Sequence, residues 1–141
     1  MRAERPLIAV TMGDPAGIGP ELCLRLLADE GMRDECVPVV FGDATVLARC
    51  ARECGLPAPA DILRKEEWAE RAAGLRAPAV LDLGHAMADD LVPGTVSGDN
   101  GRAAYEFIQA AIDAALAGEV AAVATAPINK EALRLAGISY P

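Results

Sequence analysis

The chain has 141 residues, a formal net charge of −8 at pH 7 and a hydrophobic fraction of 52%. This length and apolar content can bury one sizeable core, whereas the negative charge argues against a nucleic-acid partner, which would need a basic face. No apolar run approaches the roughly 20 residues that cross a bilayer, and the charged residues 1–6 do not form a secretory signal. We therefore expect a cytoplasmic protein without a membrane partner.

A strand, a glycine-rich turn and a helix are predicted in succession near the start. Residues 7–11 are apolar and β-branched, residues 22–28 have the pattern of a largely buried helix, and residues 12–21 between them read Met-Gly-Asp-Pro-Ala-Gly-Ile-Gly-Pro-Glu. In α/β proteins such a turn lies at the carboxyl edge of a parallel sheet, where ligands bind, and glycine lets the backbone approach a ligand closely. From these residues alone, a ligand site and a tight turn without a ligand remain equally open.

The turn differs from two common nucleotide-binding motifs. A G-x-G-x-x-G fingerprint that began at Gly17 would need glycine where Leu22 stands, and a P-loop would need a Gly-Lys-Ser/Thr ending, although the first lysine is Lys65. Asp14 and Glu21 would also repel a bare phosphate held between them. The turn is therefore neither of these motifs.

The rest of the chain alternates predicted strands and helices. We predict strands at 37–41, 61–63, 79–83 and 121–125, with Pro38 at the start of its strand or on a sheet edge. We predict helices at 44–54, 66–73, 99–117 and 129–136. Asp43 caps the first of these helices and Gly55 ends it, and a capping loop at 97–101 opens the third. This alternation predicts an α/β fold, a mostly parallel sheet with helices on both faces.

Two groups of residues superficially suggest metal binding. The four cysteines form no C-x-x-C pair, and Cys50 and Cys54 lie four positions apart on one predicted helix, too far apart at Cβ for a disulfide. We interpret all four as small buried residues in a reducing compartment. His85 has only scattered acidic neighbours in the sequence, so a solvated loop is favoured over a metal site.

Lys130 is the residue whose position points most directly to ligand binding. It follows the carboxyl end of a predicted strand and lies in the first turn of the next helix, where a cation opposes the helix dipole by ~0.3–1 kcal/mol. A nearby anion, such as a substrate phosphate or carboxylate, would compensate for this. Asn129 fits a helix N-cap or a residue that orients the substrate. The alternative is an exposed lysine paired with Glu131 or with water.

Two blocks more than 100 residues apart resemble one enzyme family. Residues 13–21, Gly-Asp-Pro-Ala-Gly-Ile-Gly-Pro-Glu, resemble the opening of the isocitrate/isopropylmalate dehydrogenase superfamily, and within it the 4-hydroxythreonine-4-phosphate dehydrogenase family. Residues 125–133, Thr-Ala-Pro-Ile-Asn-Lys-Glu-Ala-Leu, agree, as do residues 97–104 and the pair Tyr140 and Pro141. The resemblance runs from about residue 7 to residue 141 and covers under half of a family-length protein.

The resemblance implies that NAD or NADP oxidises the secondary alcohol of 4-hydroxythreonine 4-phosphate, with loss of CO₂, in pyridoxal phosphate biosynthesis. It implies a homodimer, a cofactor site that includes Gly17, Ile18 and Gly19, and a phosphorylated substrate at Lys130 and Asn129. Two alternatives remain. One is the related oxidation of D-threonate or D-erythronate 4-phosphate in sugar-acid catabolism, and the other is a non-catalytic binding or dimerisation module from a truncated chain.

The resemblance also implies residues outside this sequence. Members of the family bind a divalent metal (Zn, Mg, Mn or Co) through histidines later in the chain, and a Gly-His-Thr triplet that contacts the substrate phosphate region follows the Tyr-Pro pair. We therefore expect residues 1–141 to be the N-terminal part of a two-domain α/β dehydrogenase with an isocitrate/isopropylmalate dehydrogenase-like fold. We expect its domain boundary near 120–130, its catalytic residues and metal ligands beyond Pro141, and no activity from the 141-residue chain alone.

Overall fold

Five parallel strands form one sheet. The structure, a computed structural model, describes residues 4–139, so Tyr140 and Pro141 of the family block lie outside the described residues. The strands are β1 (Leu7–Thr11), β2 (Val37–Gly42), β3 (Ile62–Arg64), β4 (Ala79–Asp82) and β5 (Ala122–Thr125). Their order across the sheet is β3-β4-β2-β1-β5, and every pairing is parallel. The predicted α/β fold with a parallel sheet is confirmed.

Helices cover both faces of the sheet. They are α1 (Gly19–Ala28), α2 (Met32–Glu35), α3 (Ala44–Cys54), α4 (Trp68–Arg71), α5 (Gly98–Leu116) and α6 (Lys130–Leu135), with short 3₁₀ turns on each side of α4. On one face, α1 and α3 pack through Leu24 and Leu47 against Val40. On the other face, α5 and α4 pack through Ala111 and Trp68 against the remaining strand side chains. Among residues 4–139, no helix is long and apolar enough to cross a membrane.

Local signals predict α3 and β2 well. The side chain of Asp43 accepts hydrogen bonds from Thr45 N (2.9 Å) and Val46 N (3.3 Å), and Gly55 ends the helix with a left-handed φ of 66°. Pro38 was predicted to lie either at the start of its strand or on a sheet edge. It lies at the start of β2, and β2 is an interior strand. The proline is tolerated there because pairing with β4 begins only at the next residue, so the missing N–H removes no ladder bond.

One predicted burial is wrong, although the start of α1 follows from its sequence. The helix begins at Gly19, so Pro20 lies in the first turn, where its missing N–H has no intrahelical partner, and the apolar run 22–28 forms the rest of the helix. Burial raises the pKa of Cys23 to about 12, as expected for a core thiol, but Cys54 is exposed. Leu116, near the end of α5, is 84% exposed, because α5 buries the adjacent side of its surface.

Helix α6 packs against the first turns of α5 at backbone contact distance. A Cβ on Gly101 would lie 2.1 Å from the carbonyl oxygen of Ala132, and Arg102 Nη2 donates to the carbonyl oxygen of Ala136 at 2.8 Å. The predicted capping loop is confirmed, since Ser97 Oγ accepts from Asn100 N at 3.2 Å. The block at 97–101 therefore serves helix capping and helix packing. The domain boundary near 120–130 stays a prediction.

We expect Gly101→Ala to lower the free energy of unfolding by about 1–3 kcal/mol, because the added methyl group must displace the backbone of α6. The matched control is Gly74→Ala, since a Cβ at Gly74 meets no atom within 4 Å. Urea denaturation of both variants and the parent protein measures the difference. Equal stability of the two variants would contradict the close approach of α5 and α6.

Candidate functional site

The two sequence blocks meet at the carboxyl edge of the sheet. Strands β1 and β5 are neighbours, with Thr11 paired to Thr125, so the loops that follow them emerge side by side. The N–H of Asp14 donates to the carbonyl oxygen of Pro127 at 3.1 Å, and the N–H of Ala126 donates to the carbonyl oxygen of Thr11 at 3.0 Å. The carboxyl edge is where open parallel sheets bind ligands.

Two glycines of the first block are required by close backbone contacts. Gly13 has a φ of +74°, and a Cβ there would lie 2.4 Å from the carbonyl oxygen of Pro127. A Cβ on Gly19 would lie 1.9 Å from the carbonyl oxygen of Met12, which explains why this buried position at the start of α1 is glycine. Gly17 is different, because it is exposed and a Cβ there would make only ordinary contacts.

A cavity of about 230 Å³ opens between the two loops. It brings together three of the predicted site residues, Gly17, Ile18 and Asn129, while Gly19 does not line it. Ile18 is 61% exposed, although large apolar side chains are usually buried. The remaining lining residues are Asp14, Ala16, Gly94, Thr95, Val96, Pro127 and Ile128.

Lys130 lies next to this cavity as the first residue of α6, and its side chain is exposed. Glu131, the partner that the alternative interpretation requires, binds Arg134 instead, with Arg134 Nε 2.9 Å from Glu131 Oε2. Within the described part of the chain, Lys130 forms no ion pair. The pairing with Glu131 is therefore wrong. An exposed lysine in contact with water and a lysine that binds an anionic ligand both stay predictions.

Asn129 is the N-cap of α6. Its Oδ1 accepts a hydrogen bond from Ala132 N at 2.9 Å, as predicted for a cap. The amide nitrogen Nδ2 has no partner among residues 4–139. Asn129 therefore presents a hydrogen-bond donor at the edge of the cavity.

Asp14 was not singled out as a ligand residue by sequence reasoning. The residue is among those that line the cavity although it is only 5% exposed, and its Oδ1 accepts from Ala16 N at 2.8 Å. Burial raises the pKa of the Asp14 carboxyl, and the bond from Ala16 N lowers it by a smaller amount. In the sequence, an aspartate at this position indicates only a turn in which its side chain accepts from the N–H two residues later. No local pattern therefore predicts that Asp14 is buried.

The third wall of the cavity is the loop between β4 and α5, residues 83–97. It is held by Met87 N–H, which donates to Asp43 Oδ2 at 2.8 Å, and by Arg49 Nη1, which donates to the carbonyl oxygen of Leu91 at 2.6 Å. Gly94 N–H also donates to the carbonyl oxygen of Ala16 at 2.7 Å. These bonds fix a long loop against the glycine-rich turn.

A larger cavity, of about 550 Å³, is lined by other residues of the same loop, among them His85. His85 Nε2 contacts Glu106 Oε2, and its ring packs edge-on against Phe107 with centroids 5.2 Å apart. His85 lies on a loop, as predicted, but its side chain is only 20% exposed. Among the residues that the structure describes, no group of three or more His, Cys, Asp and Glu side chains is placed to hold a metal ion.

Comparisons with known proteins agree with the family resemblance of the sequence. A protein of Trichlorobacter lovleyi named 4-hydroxythreonine-4-phosphate dehydrogenase is 40% identical over 143 residues, which cover 100% of this chain and 42% of that protein. A Clostridium botulinum protein, provisionally named a D-threonate 4-phosphate dehydrogenase, is 34% identical over 97% of this chain and 40% of its own length. The crystal structure of a 4-hydroxythreonine-4-phosphate dehydrogenase from Burkholderia phymatum matches with a TM-score of 0.83 and 36% identity, over 99% of this chain and 41% of that one.

The chain thus spans about two fifths of the length of these relatives. The family model described as the pyridoxal phosphate biosynthetic protein PdxA matches residues 34–141, which is well over half of the chain. The matched range includes the second block and the strand β5 that carries it beside β1. The chain belongs to the PdxA family.

Proposed function

We propose that this chain is the N-terminal part of an NAD- or NADP-dependent dehydrogenase that oxidises 4-hydroxythreonine 4-phosphate in pyridoxal phosphate biosynthesis. The observation that carries the proposal is the convergence of both family blocks on one cavity, which has an exposed Ile18 on its wall and an unpaired Lys130 beside it. The relatives named for this activity support the choice of substrate.

Lys130 binds the phosphate of the substrate in this proposal. Its ammonium group is exposed and has no carboxylate partner among the described residues, so a ligand phosphate does not compete with an internal ion pair. Asn129 adds a hydrogen-bond donor next to it, with an orientation fixed by the bond from Ala132 N to Oδ1. A fixed donor and a flexible cation together position an anionic ligand.

The cofactor lies against Gly17 and Ile18. The residues present fit a planar nucleotide ring, because Gly17 has no side chain and Ile18 offers an exposed apolar surface. NAD or NADP, when bound, accepts the hydride of the substrate alcohol. The family also implies a divalent metal. The described residues offer no group of three ligands for it, so no step of this chain is assigned to a metal.

Steady-state kinetics of a full-length enzyme that carries this chain test the proposal. We expect metal-supplemented enzyme to reduce NAD or NADP with 4-hydroxythreonine 4-phosphate, with a higher kcat/KM than with D-threonate 4-phosphate. The second substrate is included because of the Clostridium botulinum relative. The opposite ranking would establish the sugar-acid alternative. Reduction of neither cofactor with either substrate would favour the non-catalytic module. The homodimer and the inactivity of residues 1–141 alone stay predictions.

Lys130→Ala should raise the KM for the phosphorylated substrate at least about tenfold and leave the Kd for NAD or NADP nearly unchanged, because a charge-assisted contact to the phosphate is lost. The matched control is Lys65→Ala. Lys65 also follows the carboxyl end of an edge strand and is exposed, but it lies at the opposite edge of the sheet, after β3. An unchanged KM in Lys130→Ala, or an equal effect in both variants, would remove Lys130 from the substrate site.

Ile18→Asp should have the reverse effect and weaken cofactor binding first. A carboxylate on the apolar wall of the cavity is desolvated by the ring and repels the cofactor phosphates. We expect the Kd for NAD or NADP to rise at least about tenfold, measured by fluorescence titration. Leu116→Asp is the control, since Leu116 is the most exposed large apolar residue among residues 4–139 and lies on α5. Cofactor affinity equal to that of the parent in Ile18→Asp would place the cofactor elsewhere.

A further inference from the structure

We propose that Asp14 binds the carboxamide N–H₂ of the nicotinamide ring and so selects the cofactor end that enters the cavity. The inference rests on the proposed function and adds a recognition residue to it. Two features carry it: the shape of the cavity, and the polar atoms of its lining residues that have no partner among residues 4–139.

The walls of the cavity suit a flat, mostly apolar group. Ile18, Val96 and Ile128 come from three separate loops, all three are exposed, and all three line the same space. A volume of about 230 Å³ is of the size of one ring with its substituent rather than a whole dinucleotide. The site therefore fits one ring of the cofactor.

The polar atoms at the cavity match a primary carboxamide. Asp14 uses Oδ1 to hold Ala16 N, and Oδ2 has no hydrogen-bond partner within residues 4–139. Asn129 uses Oδ1 to hold Ala132 N, so its Nδ2 is a free donor with two N–H groups. A carboxamide donates through N–H₂ to Asp14 and accepts through its carbonyl from one N–H of Asn129, and the other N–H remains for the substrate.

The charge of Asp14 distinguishes the nicotinamide ring from the other ligand groups. A buried carboxylate repels a phosphate but attracts the positive charge of the oxidised nicotinamide ring. Asp14 forms no ion pair among the described residues, and burial raises the pKa of its carboxyl, so the position favours a ligand donor that can bond to it. A turn alone needs only one carboxylate oxygen, and in Asp14, which lines the cavity, the second oxygen is left for a ligand.

The experiment compares NAD with its 3-acetylpyridine analogue, in which a methyl ketone replaces the carboxamide and has no N–H₂. For a full-length enzyme that carries this chain, calorimetry should give a Kd at least about tenfold higher for the analogue. Asp14→Asn keeps an oxygen for Ala16 N but presents N–H₂ in place of the second oxygen, so the two Kd values should come within about twofold. Asp90→Asn, an exposed acid of the 83–97 loop, is the control and should keep the parent ratio.

Each outcome decides between the inference and the proposed function. Equal affinity of the parent enzyme for NAD and its analogue overturns the role of Asp14, even if Asp14→Asn does not fold. A folded Asp14→Asn that keeps the parent ratio overturns it as well. If the parent enzyme binds neither NAD nor NADP, the proposed function fails too. Because the readout is a dissociation constant, the different redox potential of the analogue does not affect the result.

Discussion

The site depends on the hydrogen bond from the N–H of Asp14 to the carbonyl oxygen of Pro127, 3.1 Å long, which joins the loops after β1 and β5. The bond requires parallel pairing of β1 with β5, so that both strands end at the same edge. It also requires glycine at position 13, because any side chain there would overlap the carbonyl of Pro127. The cavity between the loops and the position of Lys130 at its side follow from this one closure.

A buried carboxylate supports the same site from the neighbouring strand. Asp43 follows β2, caps α3 through Thr45 and Val46, and accepts from Met87 N with its second oxygen. One side chain therefore fixes a helix start and a long loop, and that loop supplies Thr95 and Val96 to the cavity. Because a buried carboxylate needs several donors to be stable, the capping of α3 and the shape of the cavity are coupled.

Features set by neighbouring residues were predictable from the sequence. The strand at Leu7–Thr11 and the helix between Asp43 and Gly55 depend on local hydrophobic pattern and capping, and both were predicted within one residue. The two family blocks indicated the loops of the site. Contacts between distant residues were not predictable in this way. They include the place of β5 beside β1, the packing of His85 on Phe107, the burial of Asp14 and the exposure of Cys54. Hydrophobic periodicity shows which side of an element is apolar, but it does not show which neighbouring element packs against that side.

Asp14 and Lys130 place opposite charges at one edge of the sheet in different environments. The carboxylate of Asp14 is buried, where the effective dielectric is low and screening by salt is weak, whereas the ammonium of Lys130 is exposed. When a cationic ring and a phosphate-bearing molecule bind together at this edge, only one arrangement brings the ring to Asp14 and the phosphate to Lys130. The net charge of −8 adds to this selection, because an anionic substrate approaching an acidic protein is attracted only where an unpaired cation stands at the surface. In the proposed function, Lys130 therefore marks where the phosphate of the substrate binds, and Asp14 marks which end of the cofactor meets it.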